Sequence, residues 1–267
     1  MHKHNVAKLA SVALTQFSVK PTPQRGSYTQ ETVARSMELN MSPVNIRKRI
    51  QKLVVEGPHA QCYNSSAKLP AMKSNEVNFI ITNMAVLKPR VYVEWGIGFS
   101  TSLYPLFAQE TYGLDNNRPW CEKVGGSPVV KCLESFHAIK IRCTVEFRLL
   151  RWGWVNNSDA SNMAKHYVED NEGILDAIRQ QNKTVDVALI DGRFRVACAL
   201  RLLPYLSTTG HVFVHDFWKR QHVYHPILQH YDVVSTTGSI VMLKSKYGVI
   251  IPPGVPDVYR THLGNQS

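Results

Sequence analysis

Two stretches of this chain gather residue types that could seat a nucleoside and move a proton. The first is Val93-Glu94-Trp95-Gly96-Ile97-Gly98-Phe99-Ser100-Thr101. Its glycines allow a tight turn and let backbone approach a ligand with no Cβ in the way. A helix opening at Ser100 would offer unpaired N–H groups to a carboxylate or phosphate. Asp115 follows Glu94 by 21 residues, and an acid there can accept both hydroxyls of a ribose. The second stretch centres on Asp191, His215 and Asp216. Histidine titrates near neutrality, which makes His215 a candidate general base. Asp191 and Asp216 could instead hold a hard divalent cation such as Mg²⁺, lowering the pKa of an acceptor hydroxyl. Each residue also has a purely structural reading. Asp115 and Asp191 suit turns, Asp216 suits a cap, and His215 suits a satisfied strand end. Arg193 and Arg195 could grip an anionic acceptor or pair with nearby acids. Trp152, Trp154, Trp218 and Tyr167 could line a pocket or fill the core.

The elements that must position these residues alternate between helix and strand. Short apolar or alternating runs predict strands at Arg90–Glu94, Thr111–Leu114, Ile139–Val145, Val185–Ile190 and Gly210–His215. Two more follow at Val233–Ser235 and Ile240–Leu243, joined by a Thr237-Gly238 hairpin turn. Helical patterns lie at Asn75–Leu87, Ser100–Gln109, Met163–Gln181, Arg195–Leu206 and Tyr224–His230. Pro105 is awkward in the second of these and belongs near its first turn. Such alternation implies a mostly parallel sheet covered on both faces. Asp191 and Asp216 then end neighbouring strands about 4.8 Å apart, on the same edge as the glycine turn and Asp115.

In this setting Glu94-Trp95-Gly96-Ile97-Gly98-Phe99-Ser100-Thr101 resembles motif I of class I S-adenosylmethionine-dependent methyltransferases. The likeness is to a branch reading E-W/Y-G-S-G-G-S-T. Leu114-Asp115 with Trp120 and Glu122-Lys123-Val124 resembles that branch's acid and W-x-x-x-V stretch. Asp191-Gly192-Arg193-Phe194-Arg195 resembles its D-G-R-F-R turn, and His215-Asp216-Phe217 its H-D-F turn. The resemblance covers about residues 68–245. It implies a Rossmann-like α/β fold with a seven-stranded, mostly parallel sheet whose last strand is antiparallel. It also implies that Glu94, Gly96, Gly98 and Ser100 bind the cofactor S-adenosylmethionine and that Asp115 holds its ribose. Ile97 and Phe99 depart from the branch, which has Ser and Gly there. Catechol-type O-methyltransferases carry metal carboxylates at the ends of these two strands followed by Asn, where this chain has Phe217.

The chain carries 31 Lys+Arg against 20 Asp+Glu, and residues 1–66 hold nine of the basic and three of the acidic side chains. Residues 1–67 read as a basic, helical N-terminal extension, 68–250 as the methyltransferase-like domain and 251–267 as a C-terminal tail. Pro21 to Ser27 reads as a linker, and Ser42-Pro43 as the start of a helix. Arg47, Lys48 and Arg49 suit phosphates, which keeps a nucleic-acid methyltransferase among the alternatives. No apolar run reaches the roughly 18 residues needed to span a bilayer. Five cysteines (62, 121, 132, 143, 198) form no zinc spacing, and their odd count predicts reduced thiols. Cys143 and Cys198 read as small buried hydrophobes. Asn64, Asn182 and Asn265 head Asn-x-Ser/Thr triplets that carry little weight without a secretory signal. The expected compartment is cytoplasmic, with faint organelle-targeting character in the acid-free first 20 residues. The expected activity is methyl transfer to a small-molecule hydroxyl or similar acceptor, anionic if the arginines grip it. A non-catalytic donor-binding protein is the alternative from another class. A nicotinamide dehydrogenase is weakened by Thr101, where G-x-G-x-x-G needs its third glycine.

Overall fold

The computed structural model describes residues 42–143, 167–168, 172–248, 251 and 254–262. In chain order its elements are α1 (Pro43–Val54), α2 (Ser74–Leu87), β1 (Val91–Trp95), β2 (Glu110–Asp115), α3 (Arg118–Gly125), α4 (Pro128–Ser135), β3 (Ile139–Cys143), α5 (Glu172–Gln180), β4 (Val185–Ile190), α6 (Arg195–Leu202), β5 (Leu206–Val214), α7 (Gln221–Tyr224), β6 (Tyr231–Thr237) and β7 (Ile240–Ser245). The seven strands form one sheet in the order β3-β2-β1-β4-β5-β7-β6. All neighbours through β5 are parallel, and β7 runs antiparallel to both β5 and β6. This is the Rossmann-like arrangement that the resemblance implies, and it contains the mostly parallel sheet expected from the alternation.

Both sheet faces are buried, so each central strand feeds two cores. Val91, Val93 and Trp95 enter one apolar cluster with α5 and α6. Tyr92, one residue out of phase, joins the other cluster with α1, α2, α3 and α4. The same period-2 split separates Val212 and Val214 from Phe213 on β5. Ser42 caps α1 by accepting from the Asn45 N–H at 3.3 Å, with Pro43 in the first turn. Ile46, Ile50 and Val54 of that helix are fully buried in the second cluster.

The structure departs from expectation at several points. Ser100–Gln109 is not one helix but two 3₁₀ turns, Phe99–Ser102 and Tyr104–Phe107. Pro105 lies at the start of the second turn, where its missing N–H does least damage. α3 and α4 each begin with a capping side chain and a proline, Asn117 with Pro119 and Ser127 with Pro128. These start signals were present in the sequence but sat in stretches too short to show helical period. The thiol reading is overturned for four cysteines. Cys62 is bonded to Cys132 and Cys121 to Cys143, while Cys198 alone is free and buried. An odd count cannot exclude two pairs and a remainder, and none of these pairs is close in sequence. Trp152, Trp154, Asn265, the 21–27 linker and the N-terminal segment read for targeting lie outside the described residues.

Candidate functional site

Strand register builds the site. Trp95 pairs with Leu114 on one side and with Ile190 on the other, and Ile190 pairs with Val214. The next residues along continue the ladder. Gly96 N–H donates to Leu114 O at 2.9 Å, Asp191 N–H to Trp95 O at 2.9 Å, and His215 N–H to Ile190 O at 3.2 Å. Gly96, Asp115, Asp191 and His215 therefore form a row along the carboxyl edge of the sheet. Strand order reverses between β1 and β4, and ligands of open α/β sheets bind at such a switch.

The glycine turn follows β1 directly. Gly96 has φ +87°, a conformation that disfavours any side chain. A Cβ there would also strike the backbone of Asp191-Gly192. Gly98 differs, because a Cβ on it would meet only Ser100 Oγ at 3.6 Å and the Trp120 ring at 3.8 Å. Its freedom from a side chain serves whatever approaches from outside. Glu94 is fully buried. One of its oxygens accepts from the Ser100 hydroxyl, and Oε2 has no hydrogen-bond partner among the described residues. Burial pushes its carboxyl up to about 8, against hydrogen bonds from Ser100 and Thr101 and reinforced by the charges of Asp191 and Asp115. Ser100, read as a cofactor-binding residue, directs its hydroxyl to Glu94.

Asp115 ends β2 and is buried. Asn117 N–H donates to its Oδ1 at 2.8 Å. Burial raises its pKa despite backbone hydrogen bonds from Asn117, Asn116 and Ile97. Trp120 closes the wall beside it, with its indole N–H on Ile97 O at 2.6 Å. Phe99 stands edge-on to Trp120 at 5.5 Å, and Lys123 lies 4.8 Å over the Trp120 ring. The bulk that sets Phe99 apart from a glycine is thus absorbed in an aromatic pair.

The β4/β5 edge is a network of paired charges. His215 Nδ1 is 2.8 Å from Asp191, and Nε2 is 3.5 Å from Glu76 of α2. Arg195 lies 3.2 Å from Asp191 and 3.7 Å from Asp216, and its guanidinium also donates to the carbonyls of Asp191, Gly192 and His215. Lys219 holds Asp216 at 2.7 Å. Burial works against charge on His215, but the Asp191 and Glu76 carboxylates outweigh it and raise the imidazole to about 9. Glu76 shows the reverse balance. Burial opposes its ionisation, yet hydrogen bonds from His215, Ser239 and Lys73 bring it down to about 2. At neutral pH His215 is therefore a cation with both ring nitrogens facing carboxylates. That form donates protons and does not accept them, and its Nδ1 lies 2.8 Å from Asp191.

Glu76 is the member that sequence reading missed. It sits at the third position of α2, where it accepts the Lys73 N–H at 2.9 Å as a helix cap. The Ser239 N–H and hydroxyl, on the β6–β7 turn, each donate to its other oxygen at 2.7 Å. A cap was legible in Lys73-x-x-Glu76, but its partner His215, 139 residues further along the chain, was not. Arg193 is exposed and exerts its charge on Asp115. Tyr167 is buried among apolar residues, and Trp218 donates to Thr236 at 2.6 Å. Of the basic trio on α1, Arg47 is spent on the carbonyls of Ser65 and Ala67, at 2.6 and 3.1 Å.

The residues do not fit a divalent metal. Arg195 lies against both Asp191 and Asp216 where a cation would sit, and Lys219 and His215 complete their neutralisation. No group of three or more His, Cys, Asp or Glu suited to a metal occurs among the described residues.

No family model matches the chain, and no curated relative does. Solved structures do. A methyltransferase-like protein from Silicibacter pomeroyi superposes with a TM-score of 0.51 at 20% identity, over 74% of this chain and 98% of that one. The MycE methyltransferase of the mycinamycin biosynthetic pathway, in complex with Mg and SAH, gives a TM-score of 0.35 at 11% identity over 76% and 57%. The first of these likenesses places the chain in the methyltransferase-like Rossmann fold.

Proposed function

We propose that this chain is an S-adenosylmethionine-dependent methyltransferase acting on a small-molecule hydroxyl or similar acceptor. One observation carries the reading. The glycine turn, the buried Glu94 with an unpaired oxygen, and Asp115 converge at the switch point of a methyltransferase-like sheet. The donor fits this cradle chemically. A cationic ammonium beside Glu94 would satisfy its unpaired oxygen and offset the burial that disfavours its charge. Asp115 is the carboxylate for the ribose diol. When bound, the donor supplies an electrophilic methyl group on sulfonium. The chain's part is alignment and proton removal. Asp191, half-exposed at the end of β4, is the group assigned to receive the acceptor's proton. Arg195 and His215 fix its position, and Asp216 anchors Arg195 and Lys219.

A second reading has its own support. The three candidates at the β4/β5 edge are paired with one another and with Arg195, as in a structural network that has lost its reaction. That reading is a donor-binding protein without turnover. Calorimetric titration with S-adenosylmethionine and S-adenosylhomocysteine, on wild type and Asp115→Ala, tests the donor site. The expected result is micromolar binding that falls at least tenfold in the variant, since hydrogen bonds to a charged group contribute about 1.5–3 kcal/mol each. A folded wild type that binds neither ligand would overturn both readings. Binding without S-adenosylhomocysteine production across a broad acceptor panel would leave only the second.

A further inference from the structure

We infer that this chain matures in an oxidising compartment and carries N-linked glycans at Asn64 and Asn182. The inference stands apart from the methyltransferase reading and rests on two sets of residues.

The first set is the four paired cysteines. Cys62–Cys132 has a Cα–Cα distance of 5.5 Å and Cys121–Cys143 one of 6.3 Å, both within the span a disulfide bridges. Cys62 sits in a 3₁₀ turn ahead of α2, Cys132 on α4, Cys121 on α3 and Cys143 at the end of β3. The two bonds join four different elements around the β2–β3 side of the sheet. Each closes a long stretch of chain, 70 and 22 residues. Two such bridges in one half of a domain describe a framework rather than a redox pair. Frameworks of that kind persist where thiols are oxidised and are rare where glutathione keeps them reduced. Forming each bond removes two protons and two electrons from a pair of thiols. A disulfide-exchanging oxidoreductase of the compartment takes them up.

The second set is the Asn-x-Ser/Thr triplets, and two lie among the described residues. Asn64-Ser65-Ser66 occupies the loop just beyond Cys62, with Ser65 and Ser66 exposed. The Ser66 N–H and hydroxyl donate to Asn64 Oδ1 at 2.9 and 2.7 Å, so the hydroxyl and the acceptor amide of the triplet are already in contact. Asn182-Lys183-Thr184 forms the turn between α5 and β4. Asn182 and Thr184 are exposed there, and Asn182 takes φ +55°. Neither triplet has proline at its middle or next position. Asn182 precedes β4 and so lies at the amino end of that strand, opposite the carboxyl edge that holds the glycine turn. A glycan at Asn182 would leave the glycine turn clear. In the transfer, the asparagine amide nitrogen bonds to the first sugar of a lipid-linked oligosaccharide and gives up one proton. The lipid pyrophosphate leaves.

The test uses full-length protein isolated from the cells that make it, with free thiols alkylated at lysis. Peptides are then treated with a glycan-removing amidase in heavy-oxygen water, which leaves labelled aspartate wherever a glycan was attached. The expected map shows Cys198 alone alkylated before reduction, and label at positions 64 and 182. Alkylation of the other four cysteines in the unreduced protein would overturn the inference. Intact disulfides with both asparagines unlabelled would overturn it as well. As an independent readout, Asn64→Gln and Asn182→Gln chains passed through the secretory pathway of a eukaryotic host should each lose one electrophoretic step relative to wild type. Equal mobility of wild type and both variants, before and after deglycosylation, counts against it.

Discussion

The two sides of the candidate site are held together by different physics. The β1–β2–β3 side relies on backbone shape, apolar packing and covalent bonds. It presents a glycine turn fitted against Asp191-Gly192, an aromatic pair of Phe99 and Trp120, and two disulfides. The β4–β5 side relies on charge. Glu76, Asp191 and Asp216 face His215, Arg195 and Lys219 within 3.8 Å. On the proposed reading the first side, fixed in shape, suits the cofactor. The second can redistribute protons and charge, which suits an acceptor that must be deprotonated. Perturbing one side should therefore read out as shape and stability, and perturbing the other as pH dependence.

The largest effect is expected at Gly96. Gly96→Ala adds a side chain at φ +87° against the Asp191-Gly192 backbone. Strain of about 1–3 kcal/mol and overpacking of a similar size combine there. Chemical denaturation should show a loss of about 3 kcal/mol or more. Gly98→Ala is its control on the same loop, since its nearest neighbours stand at 3.6 Å and beyond. Stability should stay within about 0.5 kcal/mol while donor affinity falls at least tenfold. Equal destabilisation by both would show that neither glycine is reserved for a ligand.

Breaking the covalent ties comes next. In the chain-entropy description, loops of 70 and 22 residues correspond to about 4 and about 3 kcal/mol. Cys62→Ala with Cys132→Ala should lower the unfolding midpoint more than Cys121→Ala with Cys143→Ala. A reversed order would mean that native packing at the bridges, rather than loop closure, dominates.

On the charged side, Glu76→Gln leaves His215 with Asp191 as its close carboxylate partner. Removing one partner of a buried ion pair costs about 3 kcal/mol. The sign with pH follows from both groups. His215, raised to about 9, stabilises the fold fully below its ordinary value and loses that contribution as pH climbs through 9. Glu76, lowered to about 2, contributes above the ordinary carboxylate range and loses its contribution as pH falls through 2. Wild type should hold a stability plateau between the ordinary carboxylate value of 4.5 and the ordinary imidazole value of 6.5, with a declining limb on either side. In the variant the alkaline limb should move toward neutrality, and an NMR titration should show the His215 midpoint falling. An unchanged midpoint would remove Glu76 from the site.

What sequence reveals also differs between the two sides. The glycine turn, Asp115, and strands at Arg90–Glu94 and Val185–Ile190 were legible because they are local. Glycine requirements, period-2 burial and a strand-end acid all lie within a short window. The mostly parallel sheet followed from alternation, and its seven strands with an antiparallel last one from the resemblance. The charged side was legible only as a list of parts. Asp191, His215 and Asp216 were visible, but their protonation depends on Glu76 and Arg195, and Glu76 arrives from the helix before β1. The disulfides escaped for the same reason, since their partners lie 70 and 22 residues apart. The Ser100–Gln109 helix failed more locally. A buried segment carrying Pro105 cannot sustain i to i−4 bonding, and it resolved into 3₁₀ turns.

The smallest expected effect is also the one that separates the two roles open to Asp191 and Asp216. Had these carboxylates been metal ligands, chelation would abolish turnover, because a bound divalent ion would supply the charge that lowers an acceptor's pKa. On the proposed reading that charge comes from the chain itself. Arg195 lies 3.2 and 3.7 Å from the two aspartates, and Lys219 lies 2.7 Å from Asp216. A divalent ion would have to displace a buried guanidinium that also donates to the carbonyls of Asp191, Gly192 and His215. Methyl transfer measured with excess chelator and with added Mg²⁺ should therefore agree within about twofold, less than the 1.4 kcal/mol that marks a tenfold change. Arg195→Met should do what chelation does not. It would leave Asp191 without one of its two cationic neighbours and cut the rate by about 10²-fold or more, the low end of what a positioned proton acceptor contributes. If chelation silences the wild type and added Mg²⁺ restores it, Arg195 must move aside when the ion binds, and the charge balance drawn for this edge would be wrong.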